Sequence, residues 1–514
     1  MSGETKRPIP HLRGQGTATQ LIVGGRPMVL LAGELRNSSA SRLACAEPIL
    51  DRLARMHLNA VLAPLYWELV EPEEGRFDFT LPEGLVTAAR RCGLHLVFLW
   101  FGTLKNAVSC YAPPWVKTDL RRFPRSQGRK GQSTGAVSVF GPEILRCDAR
   151  AFAAVMRRVR RIDQRDNTVV MMQVENEPGM LGAPRDRCEA AEAAFAQSVP
   201  EGLMRRLQER RGRLMPELDA IWAGGGYRPS GSWREVFGEG GDEVFMSWHV
   251  GRFVDAVAAA GRAEYDLPMF ANAWLVQGPG YLPGQYPSGG PVSRMMDVWQ
   301  AAAPHIDLLA PDIYAEDFRG TCASYVRGGN PLLIPEARVD AGAAGRALYA
   351  IGRHDAIGFG PFAIDDAADD HPLAETYRVL RAMMPLLTEA QGAGRMTAFC
   401  QQEDSENWEA ELDGIRFKAR TVRPLAQCPA PGAALLLAMG SWEFLVVGQG
   451  LVLTFEPTEP ALPTAELVWL DEGEFEDGRW RPRRRLNGDE TAHGTAALLG
   501  NRLTTCRFKL HAYR

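Results

Sequence analysis

The feature that most constrains the fold is an alternation, between about residues 28 and 365, of short apolar runs with longer amphipathic stretches. The runs fall at 28–33, 59–65, 95–101, 168–174, 268–273, 306–313, 331–335 and 356–364. They are predominantly apolar, as parallel strands buried on both faces require. The intervening stretches 47–56, 81–92 and 149–162 carry apolar residues at helical spacing. Eight strand-like runs with helical patterns between them predict a (β/α)8 barrel in preference to an open doubly wound sheet. No GxGxxG or GxxxxGK follows any run, so nucleotide folds lose their usual signature.

At 514 residues the chain exceeds what one hydrophobic core usually supports, roughly 250–300 residues. The reading is an N-terminal extension at 1–20, a catalytic barrel at 21–390 and a smaller all-β accessory domain, sandwich-like, at 391–514. Alternating segments at 415–419, 434–438, 442–447, 451–455 and 503–511 carry the last assignment. Two connections are very long, 102–146 and 178–266, and long loops at the C-terminal end of a barrel shape active sites.

Charge narrows the partners. The net charge is −4, with basic and acidic residues interspersed, so nothing favours nucleic acid and a neutral substrate fits better. The nine cysteines are scattered without a CxxC and are read as reduced, buried thiols. No apolar leader and no run of membrane-span length is visible, which predicts a cytoplasmic protein without a membrane partner, with a periplasmic or secreted one as the alternative if the N-terminus is processed or trimmed. None of the nine histidines forms an HxxxH or HExxH set, so neither a metal nor a cofactor is expected. A homo-oligomer is left open.

Two apolar runs end in carboxylates. The fourth leads into Gln173-Val174-Glu175-Asn176-Glu177-Pro178, and the seventh into Ile334-Pro335-Glu336-Ala337-Arg338. Cleaving a glycosidic bond without a metal needs two carboxyl groups, one to protonate the leaving oxygen and one to attack. Glu177, against an apolar strand end, is assigned as general acid/base, and Glu336, with Arg338 expected to keep it ionised, as nucleophile. Asn176 is placed to donate to a sugar 2-hydroxyl. Glu175 is read as structural, on the expectation that the strand turns it differently from Glu177. A sugar site also wants aromatic faces and polar groups. Trp67, Trp100 and Trp274 are candidates to stack, Glu34, Glu68, Lys105, Asn106 and Asn272 to bind hydroxyls, and Tyr314 to donate its phenol to the nucleophile.

These segments resemble clan A glycosidases and, in detail, glycoside hydrolase family 35, the β-galactosidase-like enzymes. The resemblance rests on Gly33-Glu34-Leu35-Arg36-Asn37-Ser38-Ser39, Tyr66-Trp67-Glu68-Leu69-Val70-Glu71-Pro72 with Gly75-Arg76-Phe77-Asp78, Gln173 to Gly179, and Ile334 to Arg338. Trp480 to Glu490 is similar to the C-terminal β-domain of a bacterial subgroup. After the third run, Leu99 to Asn106 replaces the Cys-Ala-Glu-Trp of many members, so sugar contacts are not carried over there. The resemblance implies a retaining exo-β-glycosidase, foremost a β-galactosidase acting on the non-reducing end of oligosaccharides or plant-type glycans. A β-glucosidase-like or transglycosylating relative, and a carbohydrate-binding protein without turnover, are the alternatives.

Overall fold

The computed structural model describes residues 8–278, 280–402, 407–421, 431–476 and 478–514. Each expected apolar run contains a strand. In chain order they are β1 (Leu30–Leu31), β2 (Ala60–Tyr66), β3 (His95–Lys105), β4 (Val169–Asn176), β5 (Met269–Trp274), β6 (Leu308–Ile313), β7 (Leu333–Ile334, resuming at Glu336–Ala337) and β8 (Gly358–Phe359). Neighbouring strands pair in parallel from β2 through to β7, from β7 to β8, and from β8 back to β1. The ring closes between β1 and β2, where the N–H of Leu62 donates to the Gly33 carbonyl at 3.0 Å and Glu34 bridges Leu62. A closed parallel sheet has no open edge, and its residues are buried on both faces, which is why the runs are mostly apolar.

A helix follows each strand: α1 (Leu43–Arg55), α2 (Thr80–Arg91), α3 (Pro142–Asp163), α4 (Gly241–Glu264), α5 (Met296–Ala302), α6 (Phe318–Tyr325), α7 (Ala343–His354) and α8 (Pro372–Ala382). The two long connections hold more regular structure than a loop reading implies. β3 runs on to Lys105, past the expected end at 101, and α3 begins at Pro142, where a proline fits the first helical turn. Between β4 and α4 lie Glu189–Phe195, Glu201–Glu209, Pro216–Gly224 and Trp233–Phe237, all helical. α4 escaped the periodicity reading because it is buried around much of its circumference, Asp242, Glu243 and Asp255 included, and so shows no clean apolar stripe.

The segment read as an N-terminal extension contains paired structure. His11–Gln15 and Ala18–Val23 form an antiparallel hairpin joined by Arg26–Met28, and the Gln20 amide donates to the Thr388 carbonyl at 2.6 Å. The tail forms two antiparallel sheets. β9 (Met396–Cys400), β12 (Ala433–Gly440), β13 (Glu443–Gln449), β18 (Thr504–Tyr513), β15 (Thr464–Glu476) and β16 (Arg479–Leu486) make one, in that spatial order. β10 (Asn407–Leu412), β11 (Ile415–Thr421), β14 (Leu451–Pro457) and β17 (Ala496–Leu499) make the other. Phe417, Phe444, Phe455 and Phe508 pack between them. The arginines of β16 are answered by acids on β15, Arg484 by Glu472 at 3.0 Å and Arg485 by Asp471 at 2.7 Å, so this strand is no bare basic patch. Cys45 and Cys110 are exposed, contrary to the expectation of buried thiols; Cys147, Cys188, Cys322, Cys400 and Cys506 are buried, and Cys428 lies outside the described residues. Among the described residues no helix is long and apolar enough to cross a membrane.

Candidate active site

Strand register assembles one layer of polar side chains at the C-terminal end of the barrel. Lys105 on β3 stands beside Asn176 on β4, while Trp274 on β5, Asp312 on β6 and Glu336 on β7 follow one another across the sheet. Lys105, Trp274, Asp312 and Glu336 line a cleft of about 370 Å3 together with Asn37, Asn106, Glu177, Gln277, Tyr314 and Phe362, while Asn176 is fully buried beside it. The cleft is small for a ligand site, in the range that takes a small molecule.

The backbone at the β4 end is strained, and its neighbours hold it there. Glu175 and Glu177 have φ of 62° and 45°, and on the adjacent loop Asn106 and Ala107 have 52° and 56°. Left-handed backbone is costly for residues with a Cβ, and such outliers gather at functional sites. The Glu177 N–H donates to Asn272 Oδ1 at 2.9 Å, and the Asn106 N–H donates to the Asn176 carbonyl at 3.1 Å. Residues two apart on a regular strand share a face, so pleating alone would have aimed Glu175 and Glu177 together. The left-handed turns separate them. Glu175 points into the wall and accepts from the Thr103 and Leu104 N–H groups, whereas Glu177 enters the cleft and accepts from the Asn106 amide.

Glu177 and Glu336 face one another across the cleft, each only 5% exposed. One oxygen of each, and one of Asp312, lie within 4.8 Å of one another. Tyr314 donates its hydroxyl to Glu336 Oε2 at 2.7 Å, and the Asn176 amide lies 3.4 Å from Oε1. Burial, with Glu336 as a second cause, pushes the Glu177 carboxyl up to about 7, opposed by the Lys105 ammonium. Burial and the neighbouring acids push Asp312 and Glu34 well above the carboxylate range. Asn272 works as a crossbar: its oxygen holds the Glu177 backbone while its amide donates to Asp312 Oδ2 at 2.7 Å. Lys105 donates to Asn176 Oδ1 at 3.0 Å and lies over the Phe101 ring.

The other sequence candidates divide. Trp274 lines the cleft and is partly exposed. Trp67 and Trp100 do not reach it. Both are fully buried, Trp67 donating to Glu71 at 2.9 Å and Trp100 to Asp148 at 2.7 Å, because a buried indole N–H needs an acceptor and each found a carboxylate in the wall. Glu68 pairs with Lys117 at 2.9 Å and is absent from the lining. Glu34 is fully buried and outside the lining, with neither oxygen hydrogen-bonded, and burial first and the Glu336 charge second raise its carboxyl. Arg338, expected to keep Glu336 ionised, is exposed and lines a separate cavity with Asp340, Arg346 and Gln402; Tyr314 and Asn176 are the groups on the nucleophile candidate. Sequence reasoning missed Asp312, Asn37, Gln277 and Phe362. The sixth run holds two acids, Asp307 and Asp312, and only its C-terminal end position could have singled out Asp312.

Chemically, Glu177, Asp312 and Glu336 are close enough to share a proton or a cation. One oxygen of each is already engaged, by Asn106, Asn272 and Tyr314 respectively. Two carboxyls facing each other, one of them proton-holding near neutrality, can give a proton and accept a covalent bond in one cleft.

Fold and site thus define a (β/α)8-barrel protein with an acid-lined cleft at the C-terminal ends of its strands. A family profile described as a domain of unknown function, DUF5597, matches residues 373–498, from within α8 into β17. No curated protein matches. Among solved structures, the catalytic domain of a β-amylase from Paenibacillus polymyxa is 13% identical over 66% of this chain and 94% of that one, with a TM-score of 0.48. A β-galactosidase from Rahnella sp. R3 is 16% identical over 76% of this chain and 58% of its own, at 0.47. A GH42 β-galactosidase from G. stearothermophilus is 14% identical over 71% and 57%, at 0.45. The barrel itself is established by its hydrogen-bonded ring, independently of these likenesses.

Proposed function

We propose that the chain is a retaining exo-β-glycosidase of the clan A type, related to glycoside hydrolase family 35. Glu177 protonates the glycosidic oxygen while Glu336 attacks the anomeric carbon and the leaving sugar departs. Glu177 then takes a proton from water, whose oxygen displaces Glu336 and releases the sugar with its configuration retained. The observation that carries this is the approach of the two carboxyls, with oxygens within 4.8 Å. Retaining enzymes hold their carboxyls about 5–5.5 Å apart, whereas inverting ones leave ~6.5–9.5 Å for a water. The hydroxyl of Tyr314 and the amide of Asn176 fix the position of the attacking group, and Asn176 is the proposed donor to a 2-hydroxyl. The small cleft supports action on a terminal sugar.

β-Galactosides are the first substrates to test, with β-glucosides and transfer to sugar acceptors beside them. Incubation with 2-deoxy-2-fluoro-β-glycosyl fluorides is expected to trap a covalent ester on Glu336, located by peptide mass spectrometry. First-formed product of inverted configuration, seen by proton NMR, would overturn the mechanism. Sugar binding without turnover across a broad panel would instead favour a binding protein.

A further inference from the structure

A third carboxyl lies beside the two acids of the mechanism. Asp312 is 2% exposed and stands in register beside Glu336 on β7 and Trp274 on β5. Its Oδ2 accepts from the Asn272 amide at 2.7 Å, and among the described residues no N–H or hydroxyl reaches its buried Oδ1. The side chain is hydrogen-bonded instead to the carboxyl of Glu177, whose Oε2 accepts from the Asn106 amide. Ionised carboxylates only accept, so two carboxyls in hydrogen-bond contact need a proton on one of them. Its place follows from what surrounds each group. Around Asp312 stand the acids Glu336 on β7, Glu177 on β4 and Glu34 after β1, with the phenols of Tyr314 and, on α6, Tyr325. Glu177 is less deeply buried and also feels the Lys105 ammonium of β3, which favours its charged form. The shared proton therefore rests on Asp312, whose carboxyl is raised well above the usual range by burial first and by the neighbouring acids second.

Resting on the glycosidase reading, we infer that Asp312 is a positioning residue that stays un-ionised through the whole cycle and donates its carboxyl hydrogen to Glu177. The Asn272 amide occupies Oδ2, which leaves Oδ1 to carry that hydrogen. In the first step Glu177 gives its own proton to the glycosidic oxygen and becomes a carboxylate. The O–H of Asp312 and the amide of Asn106 then both donate to it, and hydrogen bonds to a charged acceptor are the strong ones. They hold Glu177 ready as the base of the second step. There it takes a proton from water as the water oxygen bonds to the anomeric carbon and the bond to Glu336 breaks. The proton of Asp312 is never transferred.

The test uses the full chain and dinitrophenyl β-galactoside and β-glucoside. Their leaving group needs no protonation, so kcat reads hydrolysis of the glycosyl-enzyme, the step in which Glu177 is the base. Asp312→Ala removes the donor and should lower kcat by about 10–100-fold. Azide, a nucleophile that needs no base, should then restore turnover and yield the glycosyl azide. Asp312→Asn keeps a donor for Glu177 and an acceptor for Asn272, and should stay within about threefold of the wild type. Equal loss in both variants, a loss that azide does not restore, or no loss in either overturns the inference and leaves the acid pair standing. Activity that needs added Ca2+ or Mg2+ and is lost with EDTA also overturns it, since the carboxyls would then be ionised metal ligands. If no glycoside turns over, the retaining mechanism fails instead, and the proton is read by infrared difference spectroscopy between wild type and Asp312→Asn at about pH 9, where Glu177 is ionised. Loss of a carboxylic-acid C=O band with Asp312 supports the inference, and loss of a carboxylate band overturns it. The same spectra decide the matter if Asp312→Ala does not fold.

Discussion

Glu177 carries the largest electrostatic cost that the site shows with a definite size. Its carboxyl is pushed up to about 7 by burial first and by Glu336 second. A carboxyl whose folded value lies above its unfolded value of 4.5 binds more protons folded than unfolded between those limits, so stability falls as pH rises through that window. Below it the penalty is absent; above about 7 it is complete and amounts to roughly 3 kcal/mol. Glu177→Gln should therefore be more stable than the wild type in urea titrations at pH 8, with the gap closing toward pH 5; a gap independent of pH would contradict this assignment. The same protonation predicts that turnover declines above pH 7. In Glu177→Gln, kcat for substrates with poor leaving groups should drop by about 10²–10⁴, while activated aryl leaving groups are cleaved with a smaller loss. Tyr314→Phe removes the hydrogen bond to Glu336 Oε2; in the proposed mechanism Glu336 attacks as a carboxylate, where such a bond is worth about 1.5–3 kcal/mol, so kcat should fall by roughly ten- to a hundredfold with KM little changed. A fall expressed only in KM would mean that Tyr314 binds sugar instead.

The elements that aim these side chains meet at the end of β3. Asp148 on α3 accepts from the Trp100 indole at 2.7 Å and from the Thr103 N–H at 2.8 Å, and Glu175 accepts from the neighbouring Leu104 N–H. Gly102 fits between them because it has no side chain: a Cβ there would lie 2.4 Å from Trp100 Nε1, 2.5 Å from a Glu175 oxygen and 2.8 Å from an Asp148 oxygen. Gly102→Ala should cost about 1–3 kcal/mol by overpacking and lower activity, because Lys105 and Asn106 ride on the displaced strand end. Unchanged urea midpoint and activity would show the wall to be softer than its hydrogen bonds imply. This wall also explains what the sequence could and could not reveal. The barrel was legible because eight doubly buried strands leave eight apolar runs, and Glu177 and Glu336 because a carboxyl ending such a run is conspicuous. Trp67 and Trp100 were not legible as wall residues, since a strand buried on both faces gives no sign of which side chains face the cleft. Asp312 was hidden inside the sixth run, and the separation of Glu175 from Glu177 depends on two left-handed residues that no periodicity records.

At the scale of the whole molecule, the barrel and the sandwich share one apolar core. Ala398, Cys400, Ala433, Leu435, Leu437, Leu445 and Val447 of the sandwich belong to the same buried cluster as the barrel strands and helices. The joint is α7, which lies against β9 and β12 with two glycines at its points of closest approach. A Cβ on Gly345 would meet the Ala433 Cβ at 2.9 Å, and one on Gly352 would meet the Ala398 Cβ and the Leu435 Cγ at 2.8 Å. Helix-interior glycine costs roughly 0.5–1 kcal/mol relative to alanine, a cost that close packing of α7 against the sheet offsets. The β6 and β7 ends that carry Asp312, Tyr314 and Glu336 are followed by the α6 and α7 segments that frame this joint. Two such parts should unfold together. Barrel-weighted and sandwich-weighted probes, for instance hydrogen exchange at β4 and at β13, are expected to report one urea midpoint. Gly352→Val, which wedges a branched side chain into the contact, should lower that midpoint by the equivalent of about 1–3 kcal/mol or more at both probes and reduce turnover with it. Loss of protection at β13 alone, with β4 and activity untouched, would mean that the sandwich is an appended module and that the barrel holds its acids in place unaided.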